Sequence, residues 1–163
     1  MDHVRYIDKT REYYGGEGYA KPYRWAHFDD IPFTPPAVPL ARCRVGLVTT
    51  SEMAVLGEPG PWDDEADPAR DVYALPTATP TETLYTKKEA FDRYETTLDD
   101  VESYLPIARL REYAEQGRIG SLAPRFQVLY SQYSQRKTMT VDAPELLRQM
   151  REDGVDVAVL AAV

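Results

Sequence analysis

The last ten residues, Gly154-Val-Asp-Val-Ala-Val-Leu-Ala-Ala-Val163, constrain the fold most. Val155, Val157 and Val159 are β-branched, Asp156 is the one charge, and no proline interrupts the run. An apolar stretch this continuous predicts a central strand of a parallel sheet, buried on both faces. In open α/β sheets, chemistry sits just beyond the carboxyl ends of such strands. Whatever lies next to Val163 is therefore the first place to look for function.

The preceding segments fit the same architecture. Asp142-Ala-Pro-Glu145 reads as a capping box opening a helix, with Leu146, Leu147 and Met150 as its apolar side and Gly154 as its stop. A strand is predicted near Phe126–Tyr130. Strand, helix and strand with short connections form a parallel right-handed crossover. Pro106–Gln116 predicts a second helix, with Ile107, Leu110 and Ala114 on one face and Gly117 as the left-handed stop. Arg42–Thr50 is the first clear strand, with Val45, Leu47 and Val48 as its core. Asp71–Leu75 predicts a short strand, whereas Leu84–Tyr104 mixes signals. The predicted fold class is α/β: a three-layer, flavodoxin/Rossmann-like parallel sheet with an irregular aromatic-rich N-terminal arm and long loops.

The arm occupies residues 1–40, and an α/β domain spans 41–163. Residues 3–14 predict an amphipathic helix with Asp2 as N-cap and Gly15-Gly16 as stop. Tyr6, Tyr13, Tyr14, Tyr19 and Tyr23 crowd this end, and aromatics on an irregular arm suit either an interface or the chain's own domain. Residues 29–40 hold four prolines and read as an extended connector. Residues 52–82 are mostly loop, with an acidic turn-forming stretch at Glu58–Pro68 that reads as solvated charge rather than a metal site.

Composition narrows the functional classes. At 163 residues the chain suffices for one sizeable core. Its net charge of −8, concentrated ahead of residue 105, argues against nucleic acid or an anionic membrane as partner. No run is long enough for a membrane span and no signal peptide is evident at residue 1, so cytoplasm is the expected location. Cys43 is the only cysteine. It lies at the start of a strand, away from the carboxyl edge, and reads as an inert structural thiol despite Arg42 and Arg44 beside it. A glycine-rich dinucleotide fingerprint, a P-loop, a nucleophile elbow and a C-x-x-C motif are all absent, and His3 and His27 are the only histidines. Thr49-Thr50-Ser51 close the first strand, where hydroxyls suit a ligand-facing loop or an ordinary turn.

Three blocks resemble one family in order and approximate spacing across about residues 28–163. Arg44-Val-Gly-Leu-Val-Thr-Thr50 is similar to the R-V-A-L-V-T-T strand of the glycine/sarcosine/betaine reductase component B family, the selenoprotein B type. Leu105-Pro-Ile-Ala-Arg-Leu-Arg-Glu112 through Gly117-Arg-Ile-Gly-Ser-Leu-Ala-Pro124 resembles its F-P-I-D-R-L-R-E-L…G-x-I-G-S-L-A-P segment. Glu145-Leu-Leu-Arg148 and Asp153–Val163 resemble its last helix and strand before the redox motif.

The resemblance implies a reductase that cleaves a C–N bond in a small amine with a selenolate. Electrons would come from other reductase subunits or thioredoxin-linked redox proteins. It places selenocysteine, or cysteine, immediately after Val163. No catalytic residue, metal or cofactor is then expected within residues 1–163, and selenocysteine is expected in the full-length protein. A reading frame terminated at a selenocysteine codon would produce this chain, inactive by itself. Thr49, Thr50 and Ser51, with Ser131, Gln132 and Tyr133 after the second strand, are the substrate-pocket candidates. The chain departs from the family pattern at Ala90–Tyr94, which lacks a histidine, and at Val128–Tyr133. Those departures leave the substrate open. A competing expectation is a non-catalytic module that docks a partner, or a second copy, through the Tyr-rich arm and the sheet end.

Overall fold

The computed structural model describes residues 5–21, 29–31, 33–62, 71–88, 97–130 and 134–162. It comprises two compact units, Met1–Pro35 and Pro36–Val163. In the first, helix α1 spans Tyr6–Gly16. The helix continues through the glycine pair, and the reversal comes at Gly18, whose φ is +83°. Asp8 pairs with Arg5 at 2.7 Å within its first turn. The Tyr14 ring meets Tyr13 and Tyr19 edge-on, with centroids 5.5 and 5.4 Å away.

The second unit is built on β1 (Arg44–Thr49). Strand β7 (Val157–Ala161) runs parallel along one of its edges, with Val45 opposite Val157 and Thr49 opposite Ala161. Along the other edge lie β5 (Ser121–Leu122) and then β6 (Arg125–Leu129), both parallel to β1. Pro124 has no N–H to donate and separates those two strands. Strand β3 (Val72–Pro76) completes the sheet antiparallel to β6. The sheet is therefore mostly parallel. A small antiparallel pair, β2 (Met53–Val55) with β4 (Leu84–Thr86), stands apart from it.

Strand alternation sends side chains to two faces. Val45, Leu47, Phe126 and Val128 face a core that includes Met53, Leu84, Tyr104 and Leu105. Helix α2 (Ile107–Glu115) adds Ile107 and Leu110 to it. Gly46 lies on the opposite face, where helix α4 (Ala143–Glu152) and the turn after it approach. A Cβ on Gly46 would lie 3.1 Å from both Val155 methyls and 3.4 Å from Met150 Cε. Arg125 of β6 ties the end of α4 down through Asp153 at 2.8 Å and Glu152 at 3.3 Å.

Two expectations are corrected. Among the described residues β7 pairs with β1 alone, and its burial alternates: Leu160 is 72% exposed while Val159 packs on the core. Its apolar run is thus an edge strand among the described residues, with one half-buried face and one exposed face. The capping box is not formed either. Asp142 accepts from Lys137 Nζ at 2.5 Å, and Glu145 turns to Arg148 and Gln149. Those bonds, from Arg148 first and Gln149 next, pull the Glu145 carboxyl down to about 2. The helical path begins earlier, at α3 (Gln135–Lys137), where the Ser134 hydroxyl accepts from Lys137 N. A π turn at Thr138–Asp142 joins α3 to α4. It immediately precedes Pro144, whose ring would crowd a regular α-helical carbonyl four residues back.

The bounds expected of β1, β3, β6 and α2 agree closely, including the α2 stop at Gly117, with φ +68°, whereas α1 runs on past its expected stop and its expected cap, Asp2, lies outside the described residues. Helix α2 is capped from outside: Glu102 accepts from the backbone N of Ala108 and Arg109 at 2.9 and 3.1 Å. Arg111 reaches from the same helix to the breaker-rich loop after β3. It bonds Thr77 O and Thr79 O at 2.6 Å each and Thr81 Oγ1 at 2.9 Å.

Gly120 marks the tightest backbone approach. An added Cβ would lie 2.6 Å from Arg42 C and 2.8 Å from Cys43 O. Its N–H donates to Leu40 O and Cys43 O at 3.1 and 3.0 Å. Gly120→Ala is expected to destabilise the fold by about 2–3 kcal/mol, since backbone must move. Arg111→Ala is expected to cost roughly 1.5–3 kcal/mol through the charge-assisted bonds it removes. Urea melts of both variants check this, and unchanged midpoints would refute the packing described.

Candidate functional site at the carboxyl edge of the sheet

The carboxyl ends of β1 and β7 meet side by side. Thr50 N donates to Ala161 O at 3.2 Å, extending the ladder one residue past β1. The chain then turns at Glu52, whose φ of +55° makes it the one non-glycine residue with positive φ among those described. That conformation is disfavoured for a residue with a Cβ and is held by its surroundings.

The hydroxyls singled out from sequence divide into two groups. Thr49 and Ser51 are fully buried. Thr49 Oγ1 donates to Tyr104 O at 2.8 Å and lies 2.6 Å from Ser51 Oγ. Ser51 Oγ also reaches Met53 Sδ at 3.1 Å. Both side chains brace the β1 turn from inside. Thr50 is half-buried, on the edge itself. Ser131, Gln132 and Tyr133 lie outside the described residues.

Lys88, which no sequence pattern singles out, completes the edge. It follows β4, and its side chain is only 5% exposed. Its Nζ donates to Thr50 O at 2.6 Å and stands 3.6 Å from Glu52 Oε1. Its backbone N donates to Thr86 Oγ1 at 3.1 Å, while the Thr86 hydroxyl donates in turn to Ser51 O. The small sheet thereby holds an ammonium against the turn that ends β1. A buried cation of this kind needs partners, and here they are one carbonyl and one carboxylate. Tyr73 of β3 sits on the same turn, donating to Met53 O at 2.7 Å. Burial, and then the Glu52 charge, push its phenol well above the ordinary value.

Two other features are not sites of this kind. Lys137 is held between Asp142 and Asp71 at 2.5 and 2.9 Å. Burial opposes its charge, but hydrogen bonds from the two carboxylates outweigh it and raise its pKa. Cys43 is buried, with its Sγ toward Val38 O and Pro39 O at 3.4 and 3.6 Å. No helix among the described residues is long and apolar enough to cross a membrane.

The mostly parallel sheet thus sets a polar turn and a buried cation at the carboxyl ends of β1 and β7, the edge at which open α/β sheets commonly bind ligands. The family model described as glycine/sarcosine/betaine reductase selenoprotein B (GRDB) matches residues 4–163. The chain belongs to the glycine/sarcosine/betaine reductase selenoprotein B family. Neither the curated proteins nor the solved structures gave a match.

The Tyr73 geometry has a pH consequence. A phenol whose folded pKa is raised keeps its full contribution below the unfolded value of 10. It loses that contribution as pH rises beyond it, because only the unfolded chain then ionises. Tyr73→Phe is expected to cost about 1 kcal/mol near neutral pH, from the lost bond to Met53 O. The deficit should shrink in melts taken above pH 10. An equal deficit at both pH values would contradict the assignment.

Proposed function

We propose that this chain is the N-terminal portion of a component B-type reductase that cleaves the C–N bond of a small amine or amino-acid derivative. A selenol or thiol at the residue after Val163 would do the chemistry, so residues 1–163 would be inactive alone. Family membership supports the reaction class. The observation that carries the reading is the in-register pairing of β1 with β7. The carboxyl end of β7 lies beside that of β1, with Thr50 N bonded to Ala161 O, which supports this reading. In the proposed step the chalcogenolate attacks the carbon bearing nitrogen. A carbon–chalcogen bond forms and the C–N pair leaves with nitrogen as the amine; two electrons from thioredoxin-linked proteins, with protons from water, then cleave the carbon–chalcogen bond, releasing the reduced carbon product and the thiol or selenol. Other reductase subunits are the natural partners, and the cytoplasm the natural setting for a reduced thiol or selenol.

A docking role is a second reading, favoured by the open edge of β7 with Leu160 at 72% exposure, and by exposed Tyr13 and Tyr19. The two readings separate on the native protein. The reductase reading expects an in-frame TGA or cysteine codon after Val163 and, for TGA, a longer selenium-containing protein. A native mass ending at Val163, recovered with a bound partner, would overturn it in favour of docking.

A further inference from the structure

The main core opens toward the surface between β2 and β3, where a cavity of about 140 Å³ lies. Met53 and Val55 of β2 line it, with Tyr73 and Leu75 of β3, and all four belong to the core or pack against it. The Tyr73 bond to Met53 O joins the two strands, so this floor is formed before anything binds. The loop after β2 supplies the walls, Pro59 and Pro61. A turn at Gly57, with φ +85° and Glu58 N donating to Val55 O at 3.1 Å, brings that loop back. Trp62 then folds onto Gly60, where a Cβ would lie 2.5 Å from the indole. The Trp62 ring meets Tyr85 edge-on at 5.5 Å, and Lys87 Nζ stands 4.8 Å from the ring centroid. Proline and ring packing therefore hold the cavity wall.

Size and charge select the occupant. An apolar cavity of about 150 Å³ holds benzene, whereas sites that enclose a whole small-molecule ligand run to roughly 300–1,000 Å³. This cavity therefore fits one branched or aromatic side chain rather than a complete ligand. Leu56, next along the chain from Val55, is 60% exposed, so apolar surface continues outside it. Glu58 also lines the cavity, is exposed, and has no ion pair or side-chain hydrogen bond among the described residues. The chain around it carries a net charge of −8. A second copy would bring the same negative field, whereas a basic segment is attracted by it. We propose that this cavity anchors another protein, taking one leucine-sized side chain from a segment in which lysine or arginine flanks it. The anchor extends the core, and a flanking cation pairs with Glu58. The inference does not rest on the reductase reading.

The test is an NMR titration of the chain, with isotope-labelled methionine methyls, by the acetylated and amidated peptide Lys-Lys-Leu-Lys-Lys. Met53 lines the cavity, while Met139 lies on the π turn and Met150 lies against Gly46, so the methyl that shifts locates the peptide. A saturable shift of the Met53 methyl alone is expected. Replacing the peptide's leucine by alanine should weaken binding roughly tenfold or more, because the anchor is lost. Replacing its lysines by glutamates should do the same through charge. In the protein, Val55→Phe narrows the cavity and should abolish the difference between leucine and alanine peptides. Glu58→Lys, at an exposed position, should cut the preference for basic over acidic peptides at least threefold. If Val55→Phe does not fold, the leucine–alanine comparison on the parent chain and the Glu58→Lys result decide. An unmoved Met53 methyl, equal binding of leucine and alanine peptides, or shifts at Met139 or Met150 instead overturns the anchor. Dimerisation of the chain that the leucine peptide displaces would assign the cavity to a second copy and overturn the basic partner.

Discussion

Strand β1 is hydrogen-bonded along both edges, by β7 on one side and by β5 and β6 on the other. From Val45 to Thr49 every residue is buried. The rest of the second unit is arranged to make that burial consistent. Helix α2 and the 3₁₀ turn before it bring Tyr104, Leu105 and Ile107 against one face. The opposite face stays free of bulk at Gly46 so that Met150 and Val155 can close on it. Backbone at Arg42–Cys43 accepts Gly120 at a distance no other residue permits. Asp156 then pins the start of β7 to the start of β1, accepting from Arg44 N at 2.8 Å while its own N donates to Arg44 O at 2.9 Å. That register places the two carboxyl ends together.

The blocks that carry the family resemblance each have a mechanical role in this arrangement. Leu105 and Ile107 fill the core, and Arg111 clamps the loop at Thr77–Thr81. Gly120 is required by close approach, and Ala123 is buried at 2% exposure. A motif that spans so many packing constraints tolerates little change, whatever the reaction performed at the edge. Its presence identifies the scaffold more firmly than it identifies a substrate.

Elements whose signals are local were readable in the sequence. The β1 run, the short strand at β3 and helix α2 with its stop at Gly117 lie where periodicity and turn chemistry put them. Reading failed where a competing side-chain partner, or the tertiary neighbours, decided the outcome. Asp142 and Glu145 match a capping box, yet Lys137 and Arg148 take their carboxylates and the helix starts upstream. The β7 run has the composition of a central strand, but composition cannot say which neighbours cover it. The site was legible only in part. Its position at the strand ends followed from the fold class, and Thr50 lies there. Thr49 and Ser51 turn inward, bonded to each other and to Tyr104 O and Met53 Sδ. Lys88 and Glu52 gave no signal, since their meeting depends on β4 pairing with β2 and on one left-handed residue.

The edge so formed combines a β-turn held in an unfavourable conformation, a buried ammonium and the exit of β7. The central claim is that chemistry occurs on the residue leaving β7 at this edge. Peptide mapping of the native protein tests it most directly, after incubation with isotope-labelled glycine, sarcosine or betaine and its partner subunits in the absence of thiol reductant. The account predicts labelled carbon on the first residue after Val163. Label on Cys43 or on any other residue within 1–163, or turnover with no labelled residue there, would contradict it.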